Sequence, residues 1–188
     1  RLGPAATYEI ERRDPATGWA CQPWIYPAAI DSAYRAFPAG PAGPSNPAER
    51  ALIRGVSWQE SKFDPRARSR SDALGLMQLK LATAAEFAAR LGDPAPAEST
   101  LFDPAANLRY GSAYLRRLLA RYDGRVTVAL AAYNAEPSRI APGWRALVAR
   151  GGEALFAEMI PYPETRDYVR RVLGARQAYR EMAPRDGL

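Results

Sequence analysis

The segment FDPAANLRYGSAYLRRLLARYDG, residues 102–124, constrains the fold more than any other part of the chain. Asp103 suits an N-cap, and Pro104 suits a first turn, where its missing N–H has no helical partner to lose. Gly124 suits the left-handed position that stops a helix. Between these signals Leu108, Gly111, Leu115, Leu118, Leu119 and Tyr122 recur at helical spacing and define a stripe that must be buried, with Gly111 leaving room for a close backbone approach.

Other stretches carry the same period. A helix is expected from Asn46 and Pro47 through AERALIRGVSWQESKF, and another from Thr83 to Leu91, closing on Gly92. Further helices are expected over Val126 to Asn134, Trp144 to Ala149, Glu153 to Met159 and Glu164 to Tyr179, with a short one over Pro27 to Phe37 and a loop over 38–47. No stretch alternates apolar and polar residues long enough to predict a strand. The expectation is an all-α single domain without internal repeats. At 188 residues there is enough chain for one sizeable core. Residues 1–25 are polar and proline-interrupted and read as an N-terminal extension of unknown role, with the folded domain over 26–188. The first residues lack the apolar run of a signal peptide and do not begin with methionine, so a processed or trimmed product is expected.

Histidine is absent, which removes Ser-His-Asp and Cys-His catalysis and every histidine-ligated metal site. Cys21 stands alone, so neither an intrachain disulfide nor a cysteine-rich metal site can form, and it reads as a buried or idle thiol. An acid or base working near neutral pH must then be a perturbed carboxylate, lysine, tyrosine or cysteine. The net charge of +6 favours an anionic partner, but the arginines are scattered along helices rather than bunched, which argues against nucleic acid.

One carboxylate is placed where ionisation is disfavoured. Glu60 lies in WQESKFDP, at the end of a helical stretch and in line with Leu52, Ile53 and Val56, just ahead of an aspartate and a proline that are expected to stop the helix. The negative end of the helix dipole and partial burial both raise a carboxyl pKa. A glutamate so placed can remain protonated near neutral pH and act as a general acid on a glycosidic bond. The plainer reading is a surface glutamate ending its helix, ion-paired with Arg54 or Lys62.

Four segments occur in order: ESKFDPRARSRSDALGLMQL, FDPAANLRYGSAYL, ALAAYNAEPSRI and IPYPETRDYVRRVL. Together they resemble the catalytic domain of the soluble lytic transglycosylases, relatives of goose-type lysozyme, over about Ile25 to Tyr179, including the IYP at the start. The resemblance implies a lysozyme-like fold with a glycan-binding groove and Glu60 as the one catalytic residue. It implies cleavage of the β-1,4 bond between N-acetylmuramic acid and N-acetylglucosamine in bacterial peptidoglycan, with a 1,6-anhydro end in place of hydrolysis. No metal or cofactor is implied.

By motif position, Ser69 would bind the acetamido group, Met77 would line the groove, and Gln78 would hydrogen-bond sugar or hold the GLMQ loop. Tyr133 would lie near the glutamate and donate to it or to sugar, beside Asn134 of the same AYN signature. Glu164 and Tyr168 of PETRDYV would reach the groove or serve structure, and Asn107 is expected to fix a loop. The chain departs from the family pattern at Asp72, Glu136 and Ser138, where glycines are usual, and at Leu81, where proline is usual. The lost glycines beside Tyr133 imply a changed loop or lost positive φ angles, and Glu136 could add a carboxylate to the groove.

Peptidoglycan strands are thus the expected partner, and a periplasmic or exported location in a bacterium is implied by the resemblance. The N-terminal residues could dock a missing domain or a cell-envelope partner, and the sequence sets no oligomeric state. A hydrolytic muramidase of the same fold and a non-catalytic peptidoglycan-binding module remain the alternatives.

Overall fold

In the computed structural model, residues 33–34 and 46–182 are described. The extension over residues 1–25 and nearly all of the short helix expected at 27–37 lie outside them. Six α-helices make up the described fold: α1 Pro47–Ser61, α2 Leu81–Leu91, α3 Pro104–Arg121, α4 Val126–Ala135, α5 Trp144–Glu158 and α6 Pro163–Met182. Two 3-10 turns, Glu98–Phe102 and Pro137–Arg139, and a minimal antiparallel pair, β1 Ala73–Leu74 and β2 Leu79–Lys80, complete it. Strands of two residues are too short to show alternation, which is why the sequence pattern missed them.

The caps follow from the residues. The Asn46 side chain accepts from the Glu49 N–H at 2.9 Å, and that of Asp103 accepts from the Ala106 N–H at 2.9 Å. Each is followed by a proline at the first helical position. The stop of α1 comes earlier than the Asp64–Pro65 pair suggests: Lys62 (φ 53°) and Phe63 (φ 63°) are both left-handed. This reversal turns Phe63 into the core, 6.4 Å between ring centroids from Tyr179 of α6.

Helix α4, VTVALAAYNA, is apolar around most of its circumference and is correspondingly enclosed, packing on α3, α5 and α6. The most extensive helix pairing is α1 with α6. Gly55 permits it, since a Cβ there would stand 3.0 Å from the Val172 carbonyl oxygen. The helices expected around residues 144–149 and 153–159 are both present, as the two halves of α5 on either side of the non-helical Gly151 and Gly152 (φ 70°).

On α3, Leu108, Leu115, Leu118 and Tyr122 are buried and Leu119 is partly buried. Gly111 does make room for a close approach, but the neighbour is the Met77 side chain, whose Sδ would stand 2.5 Å from an added Cβ. Helix α2 begins at Leu81, two residues earlier than the expected Thr83.

Between β1 and β2 the chain makes a turn held from outside by Asn107 of α3. Its Nδ2 donates to the carbonyls of Leu74 (2.9 Å) and Leu101 (2.8 Å), and its Oδ1 accepts from the Met77 N–H (2.8 Å). Gly75 (φ 73°) fits only without a side chain, because a Cβ would lie 2.1 Å from the Leu101 carbonyl oxygen. Asn107 has no exposed surface, so its three partners have no water to turn to. Asn107→Ala is therefore expected to lose about 3 kcal/mol or more of stability. Urea unfolding checks this; a loss under about 1 kcal/mol would show that the turn holds without the amide.

Candidate active site

The end of α1, the β1–β2 turn, the end of α4 and the start of α6 converge on Glu60. Tyr168 of α6 donates its hydroxyl to Glu60 Oε1 at 2.7 Å. Three residues earlier on the same face of α6, Thr165 donates to Asn134 Oδ1 at 2.7 Å, tying α6 to α4. Tyr133 donates to the Met77 carbonyl at 2.8 Å, tying α4 to the turn. Ser61 points back to the Ser57 carbonyl (3.0 Å) and the Leu76 carbonyl (2.9 Å), tying α1 to the turn as well.

The two tyrosines divide the work differently from the sequence expectation, which has Tyr133 as the neighbour able to donate to the glutamate and Tyr168 as groove wall or core. The hydrogen bond to Glu60 comes from Tyr168, while Tyr133 spends its proton on Met77. Helical phase explains this: Thr165, Tyr168, Val169 and Val172 all lie on the buried face of α6, which packs on α1 and carries the phenol to the end of α1. Burial, and after it the charge of Glu60, raises both phenols well above the usual tyrosine range. Both therefore remain proton donors across the working pH range.

Glu60 keeps some exposed surface, but its carboxyl is closely surrounded by protein. Loss of hydration is the largest influence and raises its pKa from the ordinary 4.5 to about 7, against smaller lowering effects from the Tyr168 hydrogen bond and the Lys62 charge. Lys62 itself lies over the Trp58 ring, Nζ 3.1 Å from the centroid. Among the described residues no second carboxylate bears on the Glu60 proton.

The remaining expected site residues divide into loop holders and outliers. Ser69 Oγ accepts from the N–H groups of Ala73 (3.0 Å) and Ser71 (3.3 Å), which leaves its own proton free to serve a ligand or the Ser71 hydroxyl at 3.1 Å. Gln78 (φ 48°) donates through Nε2 to the carbonyls of Gly75 (2.9 Å) and Ala67 (3.2 Å), the loop-holding half of its expected role. Met77 is a correction. Its side chain has no exposed surface and fills the space left by Gly111, so it supports the turn and cannot line a groove. Glu164 stands exposed in the first turn of α6, where the helix dipole favours its charge, and no hydrogen bond joins it to Glu60. Ser61 and Thr165 are site residues that the sequence reading does not single out. Thr165 shares the apolar stripe of α6, the kind of buried hydroxyl that needs a partner, whereas Ser61 carries no such mark.

Two of the positions that depart from the family pattern keep a backbone suited to glycine. Asp72 has φ 57°, and Glu136, directly after α4, has φ 71° and ψ 144°. Positive φ is thus retained at 136 rather than lost, at a strain of about 1–3 kcal/mol for a residue with a side chain. Ser138 sits within the Pro137–Arg139 turn without positive φ, and Leu81 takes the first position of α2, where a proline also fits.

Residues 42–148 match the family model of the transglycosylase SLT domain, which spans more than half of the chain and contains Glu60, the clamped turn and the AYN helix. The chain belongs to this family. The SLT domain is 32% identical over 126 residues to the soluble lytic murein transglycosylase of Escherichia coli strain K12, covering 66% of this chain and 20% of that protein. Its fold is similar to an inactive glutamate-to-glutamine mutant of lytic transglycosylase Slt from Pseudomonas aeruginosa (TM-score 0.77, 28% identity, 95% of this chain and 28% of that one). It is also similar to a 70-kDa soluble lytic transglycosylase in complex with bulgecin A (TM-score 0.73, 25% identity, 96% and 28%). The chain thus spans about a fifth of the length of such curated relatives.

The raised pKa of Glu60 has a consequence for the stability of the SLT domain. The folded state holds this proton up to about pH 7 and the unfolded chain only to about 4.5, so ionisation of the buried carboxyl opposes folding increasingly as pH rises between the two. Glu60→Gln keeps an acceptor for Tyr168 and removes the charge. It should be more stable than the parent above pH 7, by about 1–3 kcal/mol, with the difference vanishing towards pH 4.5. Thermal unfolding from pH 4.5 to 8.5 measures it, and a difference that grows towards low pH would contradict the assignment.

Proposed function

We propose that this domain is a peptidoglycan lytic transglycosylase that cleaves the β-1,4 bond between N-acetylmuramic acid and N-acetylglucosamine without water, with Glu60 as acid and then base. The observation that carries the reading is the Glu60 carboxyl, held protonated to about pH 7 by burial and served by the Tyr168 phenol. Most glycosidases that use water or a covalent intermediate carry two carboxyl groups in defined separation. A site with one needs the substrate to supply the second group.

The steps then follow from the atoms present. Tyr168 holds Oε1, so the proton of Glu60 resides on the other oxygen and can be given to the bridging oxygen as the C1–O bond breaks. The acetamido oxygen of the muramic acid bonds to C1 and spreads the positive charge, and the Ser69 hydroxyl is suited to orient that group. The Glu60 anion, stabilised by Tyr168 and Lys62, next takes the proton of the 6-hydroxyl. That oxygen displaces the acetamido oxygen at C1 and closes the 1,6-anhydro ring. The proton lost in the first step is regained in the second, and no water is consumed.

Gln78 and Asn107 keep the turn rigid, and Tyr133 and Ser61 fasten it to α4 and α1, so that the groove wall is preorganised rather than assembled on binding. The net positive charge suits an anionic wall polymer, and such a substrate puts the enzyme in the periplasm or outside a bacterial cell.

Intact sacculi incubated with the domain should release muropeptides with 1,6-anhydro ends by mass spectrometry, and Glu60→Gln should release about 1000-fold less or nothing. Reducing ends would make the enzyme a muramidase; binding without release would make it a wall-binding module. Activity should fall on the alkaline side as Glu60 loses its proton near pH 7. Tyr168→Phe removes the bond that favours the anion, so the alkaline limb of the kcat/KM profile should move to higher pH. A limb that stays in place or moves down would mean that Tyr168 does not set the Glu60 proton affinity.

A further inference from the structure

Three residues beyond Met77 stands Lys80, and three beyond Tyr133 stands Glu136. Where Tyr133 and Met77 join α4 to the turn in the interior, Lys80 Nζ and Glu136 Oε1 face each other at 3.5 Å further out, with side chains 57% and 64% exposed. The pair prolongs the same seam to the solvent. It belongs to the neighbourhood of the site, since Glu136 directly follows α4, two residues after Asn134, whose side chain accepts from Thr165 of α6.

Fold stability does not account for a carboxylate at this place. The backbone of Glu136 (φ 71°, ψ 144°) is one that glycine adopts freely and a side chain adopts under strain. An exposed ion pair at 3.5 Å returns little of that cost. The side chain stands exposed on a strained backbone and is bound weakly to a counter-ion, as a recognition group would be. The group it meets now, that of Lys80, is a primary ammonium.

We propose that Glu136 is a specificity residue that recognises a primary ammonium group carried by the glycan strand, with Lys80 as the resting counter-ion that the substrate amine displaces. The proposal rests on the reading of the domain as a glycan-cleaving enzyme. Two sources share this chemistry: an N-deacetylated sugar amine and a free amine on the peptide branch.

The test measures kcat and KM for the parent, Glu136→Gln and Glu136→Gly on four strands. These are peptide-free and fully N-acetylated; peptide-free and partly de-N-acetylated; peptide-bearing with free amines; and peptide-bearing with those amines acetylated. Glu136→Gln should raise KM about 3-fold on the amine-bearing strand that is recognised, leave kcat unchanged, and show no such rise on the acetylated counterpart. Whichever amine-bearing strand responds names the source. Glu136→Gly relieves the backbone strain and should show the same KM loss with a raised melting temperature, which separates recognition from loop support. An unchanged KM on both amine-bearing strands, or an equal rise on acetylated ones, overturns the proposal. Failure of the parent to cleave any of the four strands would remove the glycan-cleaving reading and this proposal with it.

Discussion

The hydrogen bond from Tyr168 to Glu60 joins two residues far apart in the chain, and the site depends on it. A carboxyl without water is costly to ionise, and a donor fixed on one oxygen both limits that cost and fixes the direction of the other oxygen. The phenol can be in that position only because α6 packs closely along α1, which in turn requires the bare backbone of Gly55 against Val172. The helix pair that closes the core is therefore also the device that orients the Glu60 carboxyl.

The chain from Asp72 through β1 to Gln78 imposes a second requirement. Three left-handed residues, Asp72, Gly75 and Gln78, fall within seven positions, and such a path is not stable alone. It persists because Asn107, Ser61 and Tyr133 each satisfy carbonyl or N–H groups that a regular ladder would have satisfied. Met77 sits at the centre of this scaffold, packed on Gly111 with its carbonyl taken by Tyr133. A residue expected to line a groove is instead buried support for the turn. In the same region Glu136 carries a side chain on a backbone suited to glycine, which stores strain directly after α4.

Much of this was legible from the residues alone. Caps and terminators such as Asn46–Pro47 and Asp103–Pro104 act locally, through hydrogen bonds and fixed φ angles within one turn, so they set helix boundaries without reference to the rest of the chain. The stripes of α1 and α3 likewise declared which faces would be buried, and the line from Leu52 to Glu60 marked one carboxylate as out of place. The absence of histidine, a matter of composition, restricted the chemistry open to the site.

Other features needed the tertiary structure, because they are relations between segments. Which tyrosine reaches Glu60 depends on the phase at which α6 meets α1, and a sequence period gives the face of a helix without naming what that face will meet. The fate of Met77 depended on the space beside Gly111, and the αL path of Lys62 and Phe63 depended on a core into which Phe63 could turn. The sequence by itself determined the helices, their buried faces and the residue types able to act as acid. Only the packed structure decided which groups face Glu60 and how far its proton is held, since hydration and hydrogen bonding at one carboxyl are set by neighbours brought together from the whole chain.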